Sequence, residues 1–158
     1  MNIVFKPSEP ADAEQIILAK ADAFKEEVKL YGRGPTDKSP VEKEREFIEN
    51  AQGNNFSYIL LENGKKIGGV GVVDKGSGEF YLKHIYVALD YQNKGIGSRI
   101  MNFLDNQFPE AAIWTLETPY LSYRNHHFYE KHGFVKVGET EPGEDGFYLF
   151  LYRKIKKQ

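Results

Sequence analysis

At 158 residues, with 41% apolar and 28% charged residues, the composition is that of a globular protein, expected as one domain over 1–158. A formal net charge of −2 argues against a general nucleic-acid binder, and no apolar run nears the ~18 residues of a membrane span, so neither nucleic acid nor a membrane is an expected partner. The absence of cysteine removes disulfides and thiolate chemistry and fits the cytoplasm; the N-terminus, Met1 to Pro7, lacks the charged-then-apolar layout of a signal peptide.

Residues 3–6 read as a first strand, ended by Pro7 and Pro10. Cap-type Ser8 and Asp12, a proline and early acids then open a helix. Ile16, Ile17, Ala21, Phe24 and Val28 at helical spacing predict it over 12–30. The Gly/Pro stretch 31–40 is a loop, and a charged second helix follows over 41–51. Strands at 56–61 and 66–73 flank Asn63-Gly64, the strongest short signal for a hairpin. The glycines Gly68, Gly69 and Gly71 precede no helix start, so close strand packing is the expected reason for them.

After a turn at 74–78, Leu82, Ile85, Tyr86 and Val87 mark a central strand. It leads through a turn, 90–94, into a helix with apolar Ile100, Met101, Phe103 and Leu104, which runs to about Gln107. A glycine-bearing loop that opens a helix offers unpaired backbone N–H groups and the positive end of the helix dipole, a site for an anion such as phosphate. Gly95 and Gly97 leave room for close approach, and Lys94 adds charge. The dinucleotide fingerprint fails because Ile100 stands where its third glycine would fall, and the chain has no Gly-Lys-Ser/Thr of a P-loop. A strand at 111–118, a short helix at 122–132 stopped by Gly133, and strands at 134–137 and 146–152 complete the chain, with a basic tail, 153–157, expected in solvent. The order is β-α-α-β-β-β-α-β-α-β-β: an α/β domain with a mixed central sheet flanked by about four helices.

Two segments carry a resemblance. Gln92-x-x-Gly95-x-Gly97 after an apolar strand resembles the acetyl-CoA pyrophosphate loop of the GNAT superfamily of N-acetyltransferases. Asn125-x-x-x-Tyr129-x-x-x-Gly133-Phe134, downstream at a typical distance, resembles a second GNAT segment, and the element order agrees over nearly the whole chain. Asn125 and Tyr129, four apart, share one helix face. The resemblance implies transfer of an acetyl group from acetyl-CoA to a primary amine by direct attack. The backbone of Ile85, Tyr86 and Val87 would pair with the pantetheine arm, and the N–H near Val87 would polarise the thioester carbonyl. Gln92, Asn93, Lys94, Gly95, Ile96, Gly97 and Ser98 would hold the pyrophosphate. Asn125 would contact the CoA arm, and Tyr129 would protonate the departing thiolate. No metal is implied. A homodimer is left open as an assembly.

The amine needs a base, since an ammonium pKa of about 10.4 leaves about one molecule in 2,500 neutral at pH 7. Relatives often place a glutamate on the central strand, but here that region reads Tyr81-Leu82-Lys83-His84. His84 and Glu117 are the candidates, with Glu79 a third; His126, His127 and His132 are expected at the surface. The first two helices, the loop 31–40 and the late loop 139–145 would line the acceptor side. There Glu139, Glu141, Glu144 and Asp145 either favour a cationic amine or form a solvated turn. The alternative to an enzyme is a non-catalytic acyl-CoA-binding or regulatory module of the same build.

Overall fold

The computed structural model describes residues 1–34, 37–50 and 53–156. Pro35 and Thr36 of the expected loop, Ala51 at the expected end of the second helix, Gln52, Lys157 of the tail and Gln158 lie outside the described residues. The strands are β1 (Ile3–Pro7), β2 (Asn55–Glu62), β3 (Lys65–Gly76), β4 (Glu79–Val87), β5 (Ile113–Pro119), β6 (Val135–Glu139) and β7 (Leu149–Ile155). The described α-helices are α1 (Ala13–Ala23), α2 (Lys25–Tyr31), α3 (Val41–Glu49), α4 (Ile96–Gln107) and α5 (Tyr123–Lys131). The strands form one mixed sheet in the order β1-β2-β3-β4-β5-β7-β6. All neighbours are antiparallel except β4 and β5, which the α4 crossover makes parallel. Asn63 (φ 49°) and Gly64 (φ 81°) close the β2–β3 hairpin with the left-handed pair that a two-residue turn requires.

The apolar alternation of the strands gives the sheet two covered faces. On one, Ile96, Ile100 and Leu104 of α4 and Tyr129 of α5 pack on Leu60, Val70, Phe80, Leu82, Trp114 and Tyr152. On the other, Ala13, Ile16 and Ala23 of α1 and Ile48 of α3 pack on Ile59 and Tyr86.

Three expectations are corrected. The helix expected over 12–30 is a 3-10 turn (Pro10–Asp12) followed by α1 and α2, with a break at Phe24 (φ −105°, ψ 11°), so five helices are described where about four were expected. No glycine or proline marks this break; instead the Ala23 carbonyl accepts from Gln92 Nε2 at 3.3 Å, a tertiary tie at the elbow. The last strand starts at Leu149 and runs to Ile155, so most of the described tail is strand and not free in solvent. Arg153 pairs with Thr115 on one side and Val135 on the other. His126 is buried: its ring stacks on Phe150 with centroids 4.6 Å apart, and its Nε2 donates to the Pro119 carbonyl at 2.9 Å.

Candidate active site

The site begins with a one-residue slip in β4. Gly71 faces His84, but Val72 faces Leu82, so Lys83 is an extra residue that bulges the strand. Just before it, pairing of β4 with β5 ends at Tyr81 and Thr115. Beyond this point β5 continues to pair with β7, through Pro119 and Leu149, while β4 stays with β3. The two parallel strands therefore fork, and among the described residues no strand lies beside the edge of β4 towards β5. Ala88 N–H donates to the Ile67 carbonyl on β3 at 2.8 Å. By strand alternation the backbone groups of Ile85 and Val87 point the other way, into the fork. The Val87 carbonyl agrees, accepting from Gln92 Nε2 at 2.8 Å.

The fork opens into a cavity of about 750 Å³. One wall is Ile85, Tyr86 and Val87; another is the loop corner, Tyr91, Gln92, Asn93, Gly95, Ile96, Gly97 and Ser98. Asn93 (φ 62°) and Gly95 (φ 79°) are both left-handed, which turns the chain sharply into α4 with Gly95 as its N-cap. The first-turn N–H groups of α4, at Ile96, Gly97 and Ser98, have no acceptor within the helix and stand at its positive end. Gly97 has a further reason: a Cβ there would lie 2.6 Å from the Phe128 ring, so this glycine lets α4 and α5 approach. Ser98 Oγ lies 3.1 Å from His132 Nε2, which is only half-buried, and Gln92 braces the loop against β4 and the elbow. Lys94 does not line the cavity; its Nζ stands 5.7 Å from the centre of the Tyr91 ring.

The third wall is α5. Asn125 and Tyr129 both face the cavity, as their spacing predicts. Asn125 Nδ2 donates to Thr118 Oγ1 at 3.4 Å. Tyr129 is buried among Phe128, Phe134 and Tyr152. Burial, and then the charge of a nearby Tyr81, hold its phenol well above the ordinary tyrosine value. Arg124, Phe128 and Lys131 line the same wall at one-turn spacings, a signal present in the sequence itself. Tyr123 and His127 complete it. Arg124 also donates to Asn93 Oδ1 at 3.3 Å, linking α5 to the loop corner.

The base candidates lie elsewhere. His84 projects towards α3, its ring 6.3 Å from Phe47, with Nδ1 sealed from solvent and without a hydrogen-bond partner among the described residues. Desolvation and the cations Lys20 and Lys83 hold its pKa well below the usual histidine value. Glu117 is exposed just past the fork and accepts from the Tyr81 hydroxyl at 3.0 Å. Burial and this carboxylate push the Tyr81 phenol up to about 12. Glu79 is exposed at the far end of β4. None of the three lines the cavity.

The segments expected on the acceptor side reach the cavity only in part. Neither α3, the described part of 31–40, nor 139–145 lines the cavity. Asp145 pairs with Arg33, which also lies 4.7 Å from the centre of the Phe147 ring, and Glu139 pairs with Lys136. The Phe147 N–H, and then Arg33, hold the Asp145 carboxyl below its usual pKa. Of the expected segments only the first helix, 12–30, reaches the cavity, through Ala23, Phe24 and Glu27 at and just after the elbow. Among the described residues no group of three potential ligands could hold a metal ion, and no helix is long and apolar enough to cross a membrane.

A family model for the acetyltransferase (GNAT) domain matches residues 53–136, which take in β4, the loop corner and α5. The chain is 31% identical over 99 residues to the uncharacterised protein YrkN of Bacillus subtilis (strain 168); the match covers 61% of this chain and 53% of YrkN, so the chain spans about half the length of the curated relative it matches. PaiA N-acetyltransferase from Thermoplasma acidophilum, solved in complex with coenzyme A, superposes with a TM-score of 0.79 at 16% identity, covering 99% of this chain and 100% of that one. The ribosomal-protein-S18-alanine N-acetyltransferase of Escherichia coli superposes with a TM-score of 0.75 at 19% identity, covering 98% and 94%. At these identities the two structures bear on the fold alone.

Proposed function

The chain belongs to the acetyltransferase (GNAT) domain family, and from that membership we propose that it moves an acetyl group from acetyl-CoA to a primary amine, on a small molecule or a peptide, by direct attack. The observation that carries the proposal is the fork: an unpaired strand edge at Ile85 and Val87 that ends against a helix N-terminus built from left-handed Asn93 and Gly95. An extended arm ending in phosphates matches that pair of features, with backbone groups along the edge for the arm and N–H groups at the corner for the pyrophosphate. PaiA N-acetyltransferase, with the same fold, holds coenzyme A.

In this reading the Val87 N–H donates to the thioester oxygen as charge develops on it. Asn125 orients the arm. Tyr129 keeps its proton through the alkaline range, because its pKa is raised, and gives it to the departing thiolate. The amine's proton leaves by way of water, with exposed Glu117 at the fork as the carboxylate proposed to receive it.

The test is a melting-temperature panel followed by turnover. Acetyl-CoA raises the melting temperature, while ATP and NAD do not. Tyr129→Phe lowers kcat by about a hundredfold or more, the usual range for a general acid, and leaves acetyl-CoA affinity within about twofold. Wild-type kcat shows no falling limb near pH ~10, where an ordinary tyrosine would titrate. Equal losses of turnover and affinity in Tyr129→Phe would remove the acid role. A non-catalytic acyl-CoA module is the second reading, favoured by the absence of His84, Glu117 and Glu79 from the cavity wall; it predicts acetyl-CoA binding with no thiol release across an amine panel.

A further inference from the structure

The charges on the cavity wall are sorted. Arg124 and Lys131 lie on α5, and Glu27, on α2, is the one carboxylate among the described lining residues. Glu27 also differs from the acids beside it. Asp22 pairs with Lys25 at 3.5 Å and Glu26 with Lys29 at 3.9 Å, both in solvent. Glu27 makes no ion pair among the described residues, is half-buried, and borders the cavity beside Phe24. Its segment is held at both ends: the Ala23 carbonyl accepts from Gln92, and the Tyr31 hydroxyl donates to the Leu121 carbonyl at 2.8 Å. The short helix is thus tied near the loop corner at one end and to the segment after β5 at the other, and it borders the cavity with a carboxylate that has no ion-pair partner among the described residues.

Resting on the acetyltransferase reading above, we infer that Glu27 anchors a cationic group of the acceptor that is not the reacting nitrogen, so the preferred substrate is an amine bearing a second positive charge. A carboxylate paired with the reacting ammonium would stabilise its charged form and deepen the shortage of neutral amine. Paired with a distal ammonium it contributes binding and leaves the nucleophile unaffected. The phosphates of acetyl-CoA meet the cationic side of the cavity, and the acceptor's spare charge meets the anionic side.

The probes are diaminobutane and butylamine, matched in chain length and differing in one ammonium. With wild type, kcat/KM for the diamine exceeds that for the monoamine by about tenfold, the size of a charge-assisted contact. In Glu27→Gln the diamine value falls to that of the monoamine, through KM and not kcat, while the monoamine value and the acetyl-CoA KM stay within about twofold. Glu26→Gln, on the solvent side of the same helix, changes none of these. Equal loss for both amines, a raised acetyl-CoA KM, or no diamine preference in wild type overturns the anchor and leaves the acetyltransferase reading standing. Failure of acetyl-CoA to bind either protein overturns that reading instead. The anchor is then read from the melting temperature: a diamine shift in wild type that Glu27→Gln abolishes supports it, and equal shifts in the two proteins refute it.

Discussion

The chain has two glycine-rich stretches, Gly68 to Gly71 on β3 and Gly95 to Gly97 at the start of α4, which look alike as sequence and do different work. On β3 the missing side chains make room for neighbours. A Cβ on Gly68 would lie 2.5 Å from the Tyr86 carbonyl oxygen, one on Gly69 2.5 Å from the Tyr86 hydroxyl oxygen, and one on Gly71 2.7 Å from the His84 ring. Tyr86 and His84 therefore lie across the adjacent strand. At the corner, Gly97 is also a packing glycine, against Phe128, whereas Gly95 has nothing within 4 Å and is needed for its left-handed φ of 79°. A glycine motif is thus a poor guide to where a ligand sits until each glycine has been assigned to space or to conformation.

The largest effect expected from testing this contrast is at Gly68. The atom that a new Cβ meets is backbone in the middle of the sheet, so Gly68→Ala must move a strand. We expect a loss of about 1–3 kcal/mol or more, read as a drop of about 2–4 °C in melting temperature per kcal/mol. An unchanged melting temperature would mean that β3 and β4 are not as close as described. Next is Ser98→Asp, which separates folding from binding. An acid in the first turn of a helix stabilises it by about 0.3–1 kcal/mol, so the free protein should melt at the same temperature or slightly higher. The same charge would face the phosphates of acetyl-CoA, and affinity should fall about tenfold, or ~1.4 kcal/mol. Equal affinity in a calorimetric titration would place the pyrophosphate away from the corner.

Much of this was legible in sequence because local signals carry it. Asn63-Gly64 gave the hairpin, Gly133 the end of α5, and the spacing of Asn125 and Tyr129 their common face. The bulge in β4 has a sequence signal too. Phe80 and Leu82 face one side of β4 and so do Ile85 and Val87, so the two-residue alternation slips by one around Lys83, which is the bulge. Other features have no local cause. The break at Phe24 interrupts a segment with good helical spacing, and the contact found at it comes from Gln92, 69 residues away from Ala23 along the chain. The basic end of β7 is strand because β5 and β6 flank it. His126 is buried because the Pro119 carbonyl and the Phe150 ring wait for it. The helix that carries Glu27 was expected beside the site, but the break at Phe24 that sets its position has no mark along the chain.

The most discriminating effect, of similar size, is at Gly95. Its surroundings are open, so an added methyl meets no atom, and only the backbone conformation resists it. A left-handed alanine costs about 1–2 kcal/mol, and Gly95→Ala should lower the melting temperature by that amount alone. Asparagine tolerates the same region through its short polar side chain, as Asn93 already does two residues earlier at φ 62°. Gly95→Asn should therefore recover most of the lost stability and, if the corner keeps its shape, most of the acetyl-CoA affinity. An asparagine as costly as the alanine would point to a steric conflict, and the corner would then belong with β3 as a packing device.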